Sequence, residues 1–170
     1  TCQNMMATIY SHAYGLHLVM TRSFNHIGPK QSPQFVVADF CSQVVRIERG
    51  IQEPVIRVGN LSVKRDFTDV RDVVNAYCSL IQYGKPGETY NVGSGHAQEI
   101  SSLLNLIRTV SGTAFTVERD PARFRPVDVP LIEADISKLQ RDTNWTPKYT
   151  TEQTIADTLQ YWHETLTAAQ

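Results

Sequence analysis

Apolar residues recur at two different periods along the chain, and the alternation between them gives the first expectation. In five stretches, residues 5–14, 36–51, 70–81, 100–110 and 155–166, they return every three or four positions, the spacing of one helical face. The first stripe is Met5, Met6, Ile9, Ala13 and Tyr14, stopped by Gly15. The second is Val36, Phe40, Val44, Ile47 and Ile51, read as opening at Ser32 and Pro33 and stopping at Gly50. The third is Val70, Val73, Val74, Tyr77, Leu80 and Ile81, the fourth Ile100, Leu103, Leu104, Ile107 and Val110 ending at Gly112, and the last Ile155, Leu159, Trp162 and Leu166. Between them, residues 16–22 form a nearly continuous apolar run, and 55–58, 88–93, 115–118 and 131–134 are shorter ones, all read as strands. Strands alternating with helices make the expected class α/β.

The stretch from Gly59 to Val74 organises the rest. A strand feeds a Gly59-Asn60 turn, Lys64-Arg65-Asp66 follows, and Thr68 and Asp69 suit the cap of a helix starting at Val70. Two cations are thereby expected on a short segment between strand and helix, where ligands of open α/β sheets sit. Asn25 and His26 are expected on a turn at the carboxyl end of the preceding strand. Phe35-Val36-Val37 opens a helix, whose free amides and dipole favour an anion. Residues 120–130, with three prolines and two arginines, read as an ordered loop, and Asp135 to Leu139 turns helical.

Composition narrows the function classes. In 170 residues, 41% are hydrophobic and 19% charged, enough for a real core. Sixteen basic against 17 acidic residues give a net charge of -1, without the basic excess of a nucleic-acid binder. Cys2, Cys41 and Cys78 are far apart and odd in number, which points to free thiols in a reducing cytosol rather than a disulfide framework or zinc site. No apolar run reaches the roughly 18 residues of a membrane span. His12, His17, His96 and His163 have no metal-like spacing. The cations therefore have to be weighed singly. Arg65 and Arg125 stand beside aromatic residues, Phe67 and Phe124, and a guanidinium fork matches phosphate oxygens two at a time. Read alone, Arg65-Asp66 and Arg71-Asp72 are equally compatible with surface ion pairs.

Thr21-Arg22-Ser23-Phe24-Asn25-His26-Ile27-Gly28-Pro29, then Gly59-Asn60 with Lys64-Arg65-Asp66, then Arg125-Pro126 occur in an order and spacing that carries a family resemblance. From the first helix to Tyr161-Trp162, the chain resembles the C-terminal half of the extended short-chain dehydrogenase/reductases, in the NAD-dependent epimerase/dehydratase family, that act on GDP-mannose derivatives. The resemblance implies the last strands and helices of a Rossmann-like parallel sheet together with a small α/β substrate-binding domain. Residues 1–30 would end the Rossmann-like part, and 31–170 would be mainly the nucleotide-sugar-binding domain, with 53–95 returning in part to the sheet. No G-x-x-G-x-x-G and no Y-x-x-x-K occurs in the sequence. By resemblance the dinucleotide loop and the catalytic Ser/Thr, Tyr and Lys belong to a preceding N-terminal half, Thr1 falls just after that Lys, and the isolated chain is expected to be inactive.

The same resemblance implies the roles of residues. Asn25, Val36, Arg65, Arg125 and Asp128 match substrate-binding positions, with the two arginines on the diphosphate and Asp128 on the nucleoside. Phe24 and His26 match the cofactor side, and the cofactor would be NADP or NAD. Lys64 and Asn60 are weaker candidates, and Asp39 stands where dehydratase-type members carry a basic residue. The implied ligand is a GDP-linked 4-keto-6-deoxyhexose, and the implied assembly a cytoplasmic homodimer whose first helix lies in the dimer-forming region. Ile27-Gly28-Pro29 and Gln31-Ser32-Pro33 look like the 4-keto reductases of the family, whereas its 4,6-dehydratases show a different continuation there and Trp in place of Phe67.

Overall fold

Two hydrophobic clusters hold the elements together, each assembled from parts of the chain far apart in sequence. The computed structural model describes residues 2–124 and 128–167. In chain order they are helix α1 (Cys2–Tyr14), strands β1 (Met20–Ser23) and β2 (Asn25–Ile27), helix α2 (Val36–Glu48), strands β3 (Val55–Val58) and β4 (Lys64–Asp69), and helix α3 (Val70–Tyr83). There follow β5 (Thr89–Val92), β6 (Ala97–Glu99), α4 (Ile100–Ser111), β7 (Thr116–Arg119), a 3-10 turn (Pro121–Arg123), β8 (Leu131–Ile132), α5 (Ser137–Thr143) and α6 (Thr151–Thr167).

The larger cluster packs Phe40 and Val44 of α2, Ile56 of β3, Leu103 and Ile107 of α4 and Ile155 of α6. The smaller joins Val73, Ala76 and Leu80 of α3 to Tyr90 and Val92 of β5, Leu139 of α5 and Trp145. Strands β1 and β5 pair in parallel, as do β3 and β7. The third sheet centres on β4, which is parallel to β2 over its last residues and flanked by antiparallel β6 and parallel β8 over its first. The class is α/β, with parallel pairing prevailing.

Local chemistry explains where the helices start and stop. The Asp69 carboxylate caps α3 by accepting the Arg71 amide at 2.8 Å, and it also accepts the Arg71 side chain and the Thr154 hydroxyl. Burial opposes the charge on Asp69, but these hydrogen bonds prevail and hold its pKa below the ordinary value. Helix α4 ends as expected at Gly112, left-handed at φ 68°, whose amide donates to Arg108 O at 3.0 Å.

Several expectations need correction. The first strand starts at Met20, not Leu16, because residues 15–19 run as irregular chain. Asn25 and His26 lie on β2 rather than in a turn. Lys64-Arg65-Asp66 is strand, not a connecting segment, since β6 and β8 pair with it on both edges. Helix α2 begins at Val36 with Phe35 as its cap, because Ser32 and Pro33 belong to a turn closed by the Phe35 amide on Ser32 O at 3.1 Å. Ile51 is exposed beyond the end of α2. Helical spacing correctly located α1 and α3, yet Met5, Ile9 and Tyr14 on α1 and Val74 and Ile81 on α3 are exposed. Other expectations are met nearly to the residue, among them β3, α4 and β5.

Candidate functional site

Strand β4 positions the site because successive side chains point to opposite faces. Arg65 turns towards a cleft, while its neighbour Asp66 is fully buried. The Asp66 carboxylate accepts the Ser94 amide at 2.8 Å, the Ser94 hydroxyl at 2.7 Å, the Gly95 amide at 3.0 Å and the Ala134 amide at 3.1 Å. A buried carboxylate is tolerated only when satisfied in this way. Gly93 makes the arrangement possible: a Cβ there would stand 2.5 Å from Ala134 Cβ and 3.0 Å from Asp66 Oδ2.

On the cleft side, Arg65 donates through Nη2 to Asp128 and through Nη1 to Lys64 O at 2.8 Å. The pair is mostly withdrawn from solvent, with side chains 14% and 20% exposed. Asp128 therefore pairs with Arg65. Asn25, paired in register with Phe67, donates through Nδ2 to Asp66 O at 3.3 Å. Val36 opens α2 on the other side. These four side chains and His26 line one cavity of about 430 Å³. A second, more open hollow of about 650 Å³ shares Asn25, Arg65 and Asp128 and adds Arg22, Phe24 and Asn91. The Arg65–Asp128 pair is thus a wall common to both.

The far wall of the first cavity is a second guanidinium–carboxylate pair, which sequence reasoning missed. Asp39, in the first turn of α2, accepts from Arg123 Nη1 and from Gln43 Nε2 at 3.0 Å. Burial pushes the Asp39 pKa up, and the hydrogen bond and charge of Arg123 only partly offset it. Gly59 lets the two segments meet, since a Cβ there would sit 2.6 Å from Arg123 O. The available signals were the second arginine in Arg123-Phe124-Arg125 and the glycine at the strand end.

Arg125, expected on the diphosphate, lies outside the described residues. Lys64 is exposed, and Asn60 uses Oδ1 to accept the Ser62 amide at 3.0 Å, holding its own turn. Phe24 and His26 sit where β1 passes into β2, with the Phe24 amide donating to Val92 O at 2.9 Å and its ring packed on the smaller core. Phe24 lines the second hollow and His26 the first cavity, and the sequence offers no glycine-rich loop for the phosphates of a dinucleotide. Among the described residues no group of three or more His, Cys, Asp or Glu could hold a metal ion. Nor is any described helix long and apolar enough to cross a membrane.

Comparison with known proteins adds a second line of observation. Residues 1–158 match the family model described as GDP-mannose 4,6 dehydratase. A GDP-6-deoxy-D-mannose reductase of Pseudomonas aeruginosa is 36% identical over 148 residues, 87% of this chain and 49% of the relative. A GDP-mannose 4,6 dehydratase of Drosophila melanogaster is 27% identical over 167 residues, 87% of this chain and 42% of the relative. The solved structure of RMD from Pseudomonas aeruginosa, complexed with NADPH, superposes with a TM-score of 0.90 at 31% identity, covering 95% of this chain and 54% of that one. The chain spans about half the length of the curated relatives it matches.

Proposed function

The chain belongs to the GDP-mannose 4,6-dehydratase family, and from that premise we propose that it is the GDP-sugar-holding part of an NAD(P)-dependent oxidoreductase that reduces the 4-keto group of GDP-4-keto-6-deoxy-D-mannose. The observation that carries the reading is the convergence of Asn25, Val36, Arg65 and Asp128 on one cavity, in a chain 36% identical to a GDP-6-deoxy-D-mannose reductase.

In this reading the nucleotide lies in the first cavity and the hexose reaches towards the second hollow. Arg65, and Arg125 with it, neutralises the diphosphate through charge-assisted hydrogen bonds. Asp128, once exchanged from Arg65, accepts from the nucleoside, and a carboxylate matches the N1–H and exocyclic amine of guanine. Asn25 holds a sugar or phosphate oxygen at the common wall, and Val36 packs on the nucleotide. Phe24 in the hollow and His26 in the adjoining cavity form the nicotinamide side. A bound NADPH or NADH supplies the hydride to C4. The sequence contains no Tyr-x-x-x-Lys, so these residues bind and orient while the proton donor comes from elsewhere in the full-length protein. The proposal includes a homodimer, supported by the exposed Ile9 and Tyr14 of α1 and Ile81 of α3.

A second reading, GDP-mannose 4,6-dehydratase, draws support from the description of the family model and from the 27% identical relative. The test is to incubate the full-length protein with GDP-4-keto-6-deoxy-D-mannose and NADPH while following reduced-nicotinamide absorbance. A parallel reaction receives GDP-mannose and NADP⁺. Loss of NADPH with the keto sugar is the expected result. Conversion of GDP-mannose without net cofactor change would establish the dehydratase instead.

A further inference from the structure

An acidic side chain lining a cleft for a diphosphate is a cost unless something accounts for it, and Asp39 is such a side chain. Its carboxylate is only 15% exposed and faces the same cavity as Arg65. With Arg65 matched by Asp128 and Arg123 by Asp39, the two arginines that line the first cavity among the described residues are each already paired before a nucleotide arrives. Among the described lining residues a diphosphate entering this space meets as much negative as positive charge. Either of these arginines can turn fully to a phosphate only as its carboxylate gives way.

Arg123 is arranged for such an exchange. It comes from the 3-10 turn, its side chain is 40% exposed, and its Nε lies 3.6 Å from Asp120. Only Nη1 engages Asp39, and among the described residues Nη2 meets no acceptor. Its backbone is fixed by the close approach to Gly59, so the guanidinium can swing while its root stays in place. Asp39 in turn keeps the Gln43 Nε2 hydrogen bond when Arg123 leaves it, so its carboxylate is not stranded.

Resting on the nucleotide-sugar reading above, we propose that Arg123 is a further diphosphate contact and that Asp39 is its resting counter-ion, displaced by the nucleotide phosphate. Asp39 thereby sets affinity by competing for Arg123. The exchange has a signature that a merely structural ion pair lacks: removal of the two partners changes affinity in opposite directions.

The test is titration calorimetry of GDP and of guanosine with the full-length protein and its variants, each first checked by circular dichroism. Arg123→Ala is expected to weaken GDP about tenfold while guanosine changes by less than about twofold, and Arg123→Lys to fall between. Asp39→Asn is expected to tighten GDP about threefold or more, and to give no gain in the Arg123→Ala background. Asp39→Ser reads the same exchange if the amide variant fails to fold. Unchanged GDP affinity in Arg123→Ala, or weakened affinity in folded Asp39 variants, overturns the proposal. Arg65→Ala separates the two levels. If it weakens GDP while Arg123→Ala does not, only this inference fails. If the unmodified protein does not bind GDP, both readings fall.

Discussion

The carboxylate of Asp66 accepts the backbone amide of Ser94 at 2.8 Å, tying the strand that carries Arg65 to a turn 28 residues further along. The same carboxylate accepts the Gly95 and Ala134 amides. Asp66→Ala would leave three amides, that of Ala134 buried and those of Ser94 and Gly95 part-buried, without acceptors. Each unsatisfied donor costs about 1–3 kcal/mol, so a loss of about 3 kcal/mol or more is expected, measured by urea denaturation. A loss below about 1 kcal/mol would show that the amides find other partners.

Gly59→Ala tests how the cleft is closed. The added Cβ would meet Arg123 O at 2.6 Å, a backbone atom that can yield only if the 3-10 turn moves. GDP affinity is expected to fall about tenfold, as for loss of one charged contact, with a thermal midpoint changed far less than in Asp66→Ala. Equal GDP affinity in the variant would show that the position of this turn does not matter to the ligand.

Stability at acid pH should depend on Asp142. The Arg141 hydrogen bond is the leading cause of its shift; burial works the other way, and Tyr90 and Lys85 add their hydrogen bonds, holding the pKa at about 2, against 3.8 ordinarily. The folded pKa is depressed, so its contribution is present above about pH 4 and is lost as pH falls towards 2. Asp69 acts in the same direction, and Asp39, whose pKa is raised, in the opposite one. Urea midpoints between pH 5 and 2.5 should therefore fall less steeply in Asp142→Asn than in the unmodified protein. Parallel slopes would remove Asp142 from the account.

Two isoleucines on equally regular stripes should behave differently. Ile107 of α4 is fully buried, and Ile107→Ala is expected to cost about 2–5 kcal/mol. Ile81 of α3 is 79% exposed, so Ile81→Ala should change stability by less than about 0.5 kcal/mol. A large loss at Ile81 in full-length protein would mean that another surface covers this face.

That contrast marks what could be read in the sequence. Spacing located α4 and its buried Ile100, Leu103, Leu104 and Ile107, because one face of that helix meets a complete core. It also located α3, but spacing does not say which of two adjacent stripes is covered, and only Val73, Ala76 and Leu80 are. Strand β4 was hidden by its charges. Lys64, Arg65 and Asp66 resemble a loop until the partners of Asp66, at Ser94, Gly95 and Ala134, are known. Asn25, Val36, Arg65 and Asp128 were legible one at a time through motif resemblance, and their meeting in one cavity came from the fold. The Asp39–Arg123 pair joins residues 84 positions apart, a separation at which local pattern carries no information.

The bonds made by Asp66 also decide which side of the cleft can give. They fuse β4, the turn at Ser94 and the chain at Ala134 into one stiff jaw, with Arg65 mounted on it. The opposite jaw, the start of α2 and the 3-10 turn, is joined across its gap by the partly exposed Asp39–Arg123 pair, while the turn itself rests closely on Gly59. Fewer buried contacts mean a lower cost of local opening. A bulkier nucleotide sugar would be admitted by parting of the Asp39–Arg123 pair, with Arg65 left in place. Changes that widen the range of accepted ligands should therefore accumulate around Gly59, Asp39 and Arg123, and leave Asp66 untouched.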